Sequence, residues 1–131
     1  MAKAFKLIML TPEREFYQGE AIELITGSTQ GDVAILADHM PLVTTLMPSD
    51  TVIVDKDGKK LKAFTSSGIL EVKEDAVSML CDACEWPEEI DFNRAEAAKK
   101  RAEARLTQKD GIDIKRAELA LARALARIRI K

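Results

Sequence analysis

The chain has 131 residues, 32% of them charged, with a formal net charge of −2. That length allows one domain, or one small domain with an appendage. No run approaches the ~20 apolar residues of a membrane span, and the first ten residues hold too short an apolar stretch for a signal peptide. A cytosolic chain is expected, attached to a membrane machine only through partners.

The first 87 residues read as short β-strands separated by turns. Residues 4–10 open the series and Thr11-Pro12 ends the first strand. Residues 15–17 and 21–26 follow as two further strands, with Gly19 and Gly27 as breaks. Ser28-Thr29-Gln30-Gly31-Asp32 turns into a strand at 33–36, and Ala37-Asp38-His39-Met40-Pro41 turns into another at 42–46. Residues 51–54 and 61–65 form a hairpin whose Asp57-Gly58 is the turn signal. Ser66-Ser67-Gly68 leads into 69–72, and 76–84 is the last strand. Turn signals every 8–12 residues predict a two-sheet antiparallel sandwich.

The chain changes character at Pro87. Residues 1–87 hold all four prolines and five of the six glycines, whereas residues 88–131 hold no proline, one glycine (Gly111) and ten alanines. Asp91 is placed to cap a helix at 92–108, Lys109-Asp110-Gly111 breaks it, and Asp113 can cap a second helix at 114–130. So short a break makes the helices antiparallel neighbours. The predicted class is therefore α+β: an N-terminal antiparallel β-sandwich (1–87) followed by a C-terminal antiparallel two-helix hairpin (88–131).

At 100° per residue Ala95, Ala98, Ala102 and Leu106 share a face of the first helix, and Ile114, Ala117, Leu121, Leu125 and Ile128 share one of the second. A further stripe of Leu119, Ala122, Ala126 and Ile130 needs a second neighbour, either the β-domain or another protein. An alanine-rich seam holds weakly, at about 0.8 kcal/mol per buried CH₂, so the hairpin reads as an arm able to open. The charges divide along the same line: residues 1–87 carry 8 basic and 14 acidic residues, and residues 88–131 carry 12 and 8. A basic arm on an acidic body fits an arm that folds back or meets an anion. It is too weakly basic, and too poor in interleaved aromatics, for nucleic acid.

Arg94 falls at the third helical position, where a cation opposes the helix dipole. Arg94, Arg101 and Arg105 line one edge of the first helix, and Arg116, Arg123 and Arg127 form a row on the second. In a hairpin closing near 109–110, position 94 faces 125–126, so Arg123 and Arg127 bracket Arg94 beside Asp91. Two readings stand. Glu96, Glu103 and Glu118 pair the arginines on a solvated face, or the guanidinium forks grip an anion or nucleotide. Cys81 and Cys84 sit on one predicted strand, where i and i+3 point to opposite faces and cannot share a ligand; they read as two ordinary thiols. The single histidine, His39, reads as a turn or contact residue. No catalytic constellation and no Gly-rich phosphate loop is visible.

Several segments, in order, resemble the epsilon subunit of the bacterial F-type ATP synthase: Gly31-Asp32-Val33-Ala34-Ile35-Leu36-Ala37-Asp38-His39-Met40-Pro41-Leu42-Val43, Ser67-Gly68-Ile69-Leu70-Glu71-Val72, Ile90-Asp91-Phe92-Asn93-Arg94-Ala95 and Arg116-Ala117-Glu118-Leu119-Ala120-Leu121. The resemblance covers essentially the whole chain. One departure is Ala37-Asp38 before His39, where the family usually has Pro-Gly, which implies a turn of different shape. The resemblance implies a ten-stranded sandwich docked on the gamma subunit and the c-ring, with Asp32 and the His39 turn in the docking surfaces. It also implies a hairpin that lies folded or extends along gamma among the alpha and beta subunits, blocking ATP hydrolysis while permitting synthesis. Such a subunit is not itself an enzyme and inserts into no membrane; it couples the rotor to the catalytic head of a proton-translocating complex on the cytoplasmic face of the cell membrane. Ile90-Asp91-x-x-Arg94-Ala95 matches a motif that binds ATP in some members, and Glu85, Arg123 and Arg127 match the other polar positions of that site. ATP, with or without magnesium, is the implied regulatory ligand. A mechanical stalk subunit that binds no nucleotide, and an unrelated adaptor that presents a hairpin to a protein partner, are the alternatives.

Overall fold

The computed structural model describes residues 3–108, 111 and 113–130. Among them run β1 (Phe5–Leu10), β2 (Glu15–Ser28), β3 (Gly31–Leu36), β4 (Leu42–Leu46), β5 (Ser49–Asp55), β6 (Lys60–Thr65), β7 (Gly68–Val72), β8 (Ala76–Cys81), β9 (Cys84–Glu85), a 3-10 turn (Pro87–Glu89), α1 (Phe92–Leu106) and α2 (Ile114–Ile130). The α+β class, a sandwich followed by two helices, is as the sequence predicts. Among the described residues there are nine strands, not the implied ten: residues 15–28, read as two strands, run as one, while 76–84, read as one, divides into β8 and β9. Gly19 and Gly27 do not interrupt β2; the register shifts between Ala21 and Glu23, where it meets β5. Its first half pairs with β1 and its second half with β3 and β5, so one bent strand serves both layers.

One layer runs β4-β7-β8-β1 onto the first half of β2, and the other runs β3, the second half of β2, β5, β6, β9. Every pairing is antiparallel except β1 with β8. Alternate side chains of both layers meet inside, where Leu7, Met9, Leu24, Ile35, Ile53, Leu70 and Met79 are fully buried. The core also holds a ladder of hydroxyls that apolar patterning does not foretell. Thr51 Oγ1 lies 2.8 Å from Thr26 Oγ1 and 2.7 Å from Thr65 Oγ1, so each buried hydroxyl has a partner.

The predicted hairpin at 51–65 is present as β5–β6. Asp55 Oδ1 accepts from the N–H of Asp57 and of Lys59, and Gly58 takes φ +85°. Gly68 meets a different demand: a Cβ there would overlap the Leu80 carbonyl and sit 2.8 Å from Cys81 Cα. Only glycine lets β7 pass so close to β8.

The last predicted strand, 76–84, breaks at Asp82-Ala83. The Asp82 N–H donates to Ser67 O and the Ala83 carbonyl accepts from the Ser66 N–H, both at 2.9 Å. The bend turns both Cys81 and Cys84 into the sandwich core. The argument that they point to opposite faces therefore fails, although both thiols are buried and free of disulfide as expected.

In the arm, Asp91 accepts from Arg94 N at 3.0 Å and Asp113 from Arg116 N at 3.1 Å, so both predicted caps form. The first helix ends at Leu106, two residues short of expectation. Of the predicted break, Lys109 and Asp110 lie outside the described residues, while Gly111 takes φ +78°. The seam is offset from the predicted one. Ala95 and Ala102 are buried on α1, with Ala117 and Ala124 on α2, whereas Ile114 is 56% exposed and Leu121, Leu125 and Ile128 only partly covered. Small residues let the helices approach closely, which pushes the larger ones to the flanks. Of the second stripe, Ala126 and Ile130 find a neighbour in Phe64 of the sandwich and in Ile90 ahead of α1, while Leu119 and Ala122 stay half-buried.

Candidate functional site

The site lies where the arm leaves the body. A cavity of about 420 Å³ opens between α1, α2 and the short β9 strand, within the usual size of a small-molecule site. Its floor is the alanine seam, including Ala95, Ala98, Ala102, Ala120 and Ala124. Five arginines look onto it: Arg94, Arg101 and Arg105 from α1, and Arg123 and Arg127 from α2. Three carboxylates, Glu85, Glu89 and Asp91, complete the lining and leave a surplus of two positive charges. The N-terminus of α1 adds the positive end of its dipole to the same rim.

Each acid already has a local partner. Asp91 caps α1 and so fixes the level at which Arg94 projects. Glu85 Oε1 accepts from Arg127 Nε at 2.7 Å, and the Arg127 guanidinium stands 4.2 Å above the Phe64 ring. Glu89 Oε1 accepts from Arg14 Nη2 and from the Trp86 N–H, both at 2.8 Å. The Arg14 guanidinium, and then the Trp86 N–H, hold the Glu89 carboxyl below the usual carboxylate range. Arg14 Nη2 also donates to Cys84 O at 3.1 Å, and Trp86 stacks on Phe16 with centroids 4.3 Å apart. The hinge is thus clamped to β2 up to Glu89. At the far end of α2, Arg129 Nε donates to Asp50 Oδ1 at 3.2 Å.

The structure brings Asp91, Arg94, Arg123 and Arg127 to one cavity, as spacing along an antiparallel hairpin requires, together with Glu85, which the resemblance alone had added. Sequence reasoning placed Arg101 and Arg105 on the same helix edge without assigning them to the site. It missed Glu89, whose partner Arg14 lies 75 residues away. Among the described residues, the ion pairs do not join Glu96, Glu103 or Glu118 to any of these arginines, so the solvated-face alternative lacks its partners.

Asp32 and His39 are not brought together. Asp32 is exposed at the start of β3 and His39 half-buried in the turn beyond its end, so they stand at opposite ends of that strand. The His39 turn holds Asp38 at φ +68°, the left-handed conformation that glycine favours, and Lys3 Nζ lies 3.0 Å from the Asp38 carboxylate. Beside this turn Met40 is 79% exposed, and the outward face of β4, β7 and β8 carries exposed Val43, Ile69 and Leu80. Ile69 pairs with Leu80 across β7 and β8, while Val43 stands opposite Glu71, so apolar and polar side chains share this exposed face.

Comparison with known proteins agrees along the full chain. Residues 4–87 match the β-sandwich domain of the ATP synthase delta/epsilon chain, and residues 88–131 match its long α-helix domain. The chain is 65% identical over 130 residues to the ATP synthase epsilon chain of Clostridium kluyveri, covering 99% of this chain and 98% of that one. It is 52% identical over 130 residues to the corresponding protein of Clostridium novyi, covering 99% of each. A similar fold occurs in a chain of the Euglena gracilis mitochondrial ATP synthase, with a TM-score of 0.84 at 22% identity over 94% of this chain and 78% of that one.

Proposed function

Because the chain belongs to the delta/epsilon-chain family of ATP synthases, as a bacterial F-type epsilon subunit, we propose that it is a non-catalytic central-stalk subunit whose folded arm is a nucleotide sensor. The carrying observation is the convergence of five arginines from two helices on one alanine-floored cavity at the base of the arm. A polyphosphate bound there bridges α1 and α2 through charge-assisted, bidentate contacts, while the flat alanine floor leaves room for a base. The surplus of two positive charges offsets part of the polyphosphate's charge, so ATP, with or without magnesium, is the expected ligand.

The regulation follows from linkage. ATP that binds the folded arm and not the extended one stabilises the folded state by RT ln(1 + [ATP]/Kd). When ATP falls, the arm is released to extend toward the catalytic subunits, where it blocks hydrolysis. The acidic end of β3 at Asp32, and the exposed face beside His39, supply two separate docking places, in keeping with two partners, the c-ring and the gamma subunit. Both lie on the cytoplasmic side of the membrane; among the described residues no helix is long and apolar enough to cross it.

Calorimetric titration of the full chain with ATP tests the sensor. Arg94→Ala, which removes one guanidinium fork, is expected to weaken binding by about 10- to 100-fold. No ATP binding by the wild type at millimolar concentration would overturn it. A second reading, a mechanical arm that binds no nucleotide, draws on the Glu85–Arg127 and Asp50–Arg129 pairs, which hold α2 on the body without a ligand. It expects an arm position that responds to salt and not to ATP.

A further inference from the structure

We propose that Cys81 and Cys84 form a redox-responsive dithiol, a modification site in which a small-molecule disulfide converts the pair into an internal disulfide beneath the base of the arm. The two residues flank the Asp82-Ala83 bend, which is pinned on both sides to Ser66 and Ser67. Both side chains enter the same core cluster, and each thiol is the largest single influence on the ionisation of the other. A two-residue bend turns both into the core where a continuous strand would have parted them.

The two thiols are not equivalent. Cys81 ends β8, paired with Gly68 of β7 and directly following Leu80, the last residue paired with β1. Cys84 lies on a strand of two residues at the end of its sheet, held by two ladder pairs with β6. So short an edge opens locally far more easily than the core behind it. The neighbouring Cys81 thiol, helped by the positive charge of Arg14, lowers the Cys84 thiol, whereas the Cys84 thiol and burial push Cys81 up. Cys84 is therefore the attacking thiolate and Cys81 the resolving thiol.

The exchange balances without a metal. The Cys84 thiolate attacks one sulfur of the small-molecule disulfide, forming a mixed disulfide and releasing one thiolate. Cys81, losing its proton, then attacks the Cys84 sulfur, closes the internal bond and releases the second thiolate. The protein gives up two electrons and two protons, and the small-molecule disulfide is reduced to two thiols. The closed bond fixes the bend and fastens β9 to β8. Glu85, which receives Arg127, follows Cys84 directly, and the Cys84 carbonyl is held by the same Arg14 that grips Glu89. Oxidation thus stiffens the ledge on which the arm rests.

Incubation of the purified full chain with oxidised glutathione at mildly alkaline pH tests this, with intact mass and peptide mapping as readouts. The wild type is expected to lose the mass of two hydrogens, to yield one peptide with a Cys81–Cys84 bond, and to recover on adding dithiothreitol. Cys81→Ala is expected to stop at a stable glutathione adduct on Cys84, and Cys84→Ala to react about tenfold more slowly or less. The wild-type mass decides the matter even if a variant fails to fold. A wild type that stays reduced, retains glutathione, or forms only bonds between chains overturns the proposal. Equal reaction rates for the two variants overturn the assigned roles.

Discussion

In the sandwich most of the fully buried apolar side chains are large, with Leu7, Met9, Leu24, Ile53, Leu70 and Met79 beside the small Ala21 and Ala63. In the arm the most deeply buried are alanines: Ala95, Ala102, Ala117, Ala124 and Ala126. Burying a large apolar side chain contributes about 1.5–3 kcal/mol, and each alanine methyl about 0.8. The sandwich is therefore fixed by its interior. The arm is fixed by a few polar fasteners at its edges, which a ligand or partner can exchange for others. The proposed regulatory role rests on that difference, because a segment that moves must come from the weakly held end of the structure.

The comparison breaks hardest at Gly68. An added Cβ collides with the backbone of Leu80 and Cys81, which cannot yield without parting β7 from β8. Gly68→Ala is expected to cost roughly 4 kcal/mol of global stability in urea unfolding. If the arm alone loosens, the division of labour described above is wrong. Thr51→Val keeps the shape of the side chain but removes the centre of the buried hydroxyl ladder, leaving Thr26 and Thr65 each without this partner. A loss of about 2–3 kcal/mol is expected, confined to the unfolding of the body, with ATP affinity unchanged.

Much of this contrast was legible in the sequence, because proline, glycine and alanine change abundance at Pro87. Strand positions followed from alternation and turn residues, and the arginine cluster from summing facing positions in a hairpin. The misses have specific causes. Gly19 and Gly27 read as breaks, but β2 runs through both and bends between them, at a bulge that no residue type announces. The bend at Asp82-Ala83 contains neither glycine nor proline; it is imposed by hydrogen bonds from Ser66 and Ser67 across the β6–β7 turn. The helical seam shifted because alanine fits either face, so the apolar stripe did not fix the rotation of α2. Glu89 escaped because its role depends on Arg14, a contact that only the folded sheet creates.

The fasteners of the arm should behave in the opposite way to the core. Arg127→Ala removes both the bond to Glu85 and the stacking over Phe64, and leaves a half-buried carboxylate unpaired. A cost of about 1–2 kcal/mol is expected. It should be read as faster hydrogen exchange along α2 while the protection of β1, β7 and β8 is unchanged. Arg129→Ala removes an exposed pair and should cost less, about 0.5 kcal/mol, and only at low salt. If core strands lose protection equally in Arg127→Ala, arm and body unfold as one unit and the arm is not a separate element.

The smallest effect is expected at the clamp between them, and it is set by pH. The Glu89 carboxyl is held below its ordinary range chiefly by Arg14. A carboxylate whose folded pKa is depressed contributes stability above its unfolded value, near 4.3, and loses it as pH falls through the lower folded value. The clamp should therefore stay closed from neutral pH down to about 4 and open only below it. Trp86 is the only tryptophan, its N–H is bonded to Glu89, and its ring stacks on Phe16. Its fluorescence consequently reports the hinge and little else. Wild-type emission should change with a midpoint below that of an ordinary glutamate, and Arg14→Gln should move the midpoint upward. An unmoved midpoint would mean that the hinge is held by the Phe16–Trp86 stack alone. The boundary between rigid body and movable arm would then lie at Trp86, and not after Glu89.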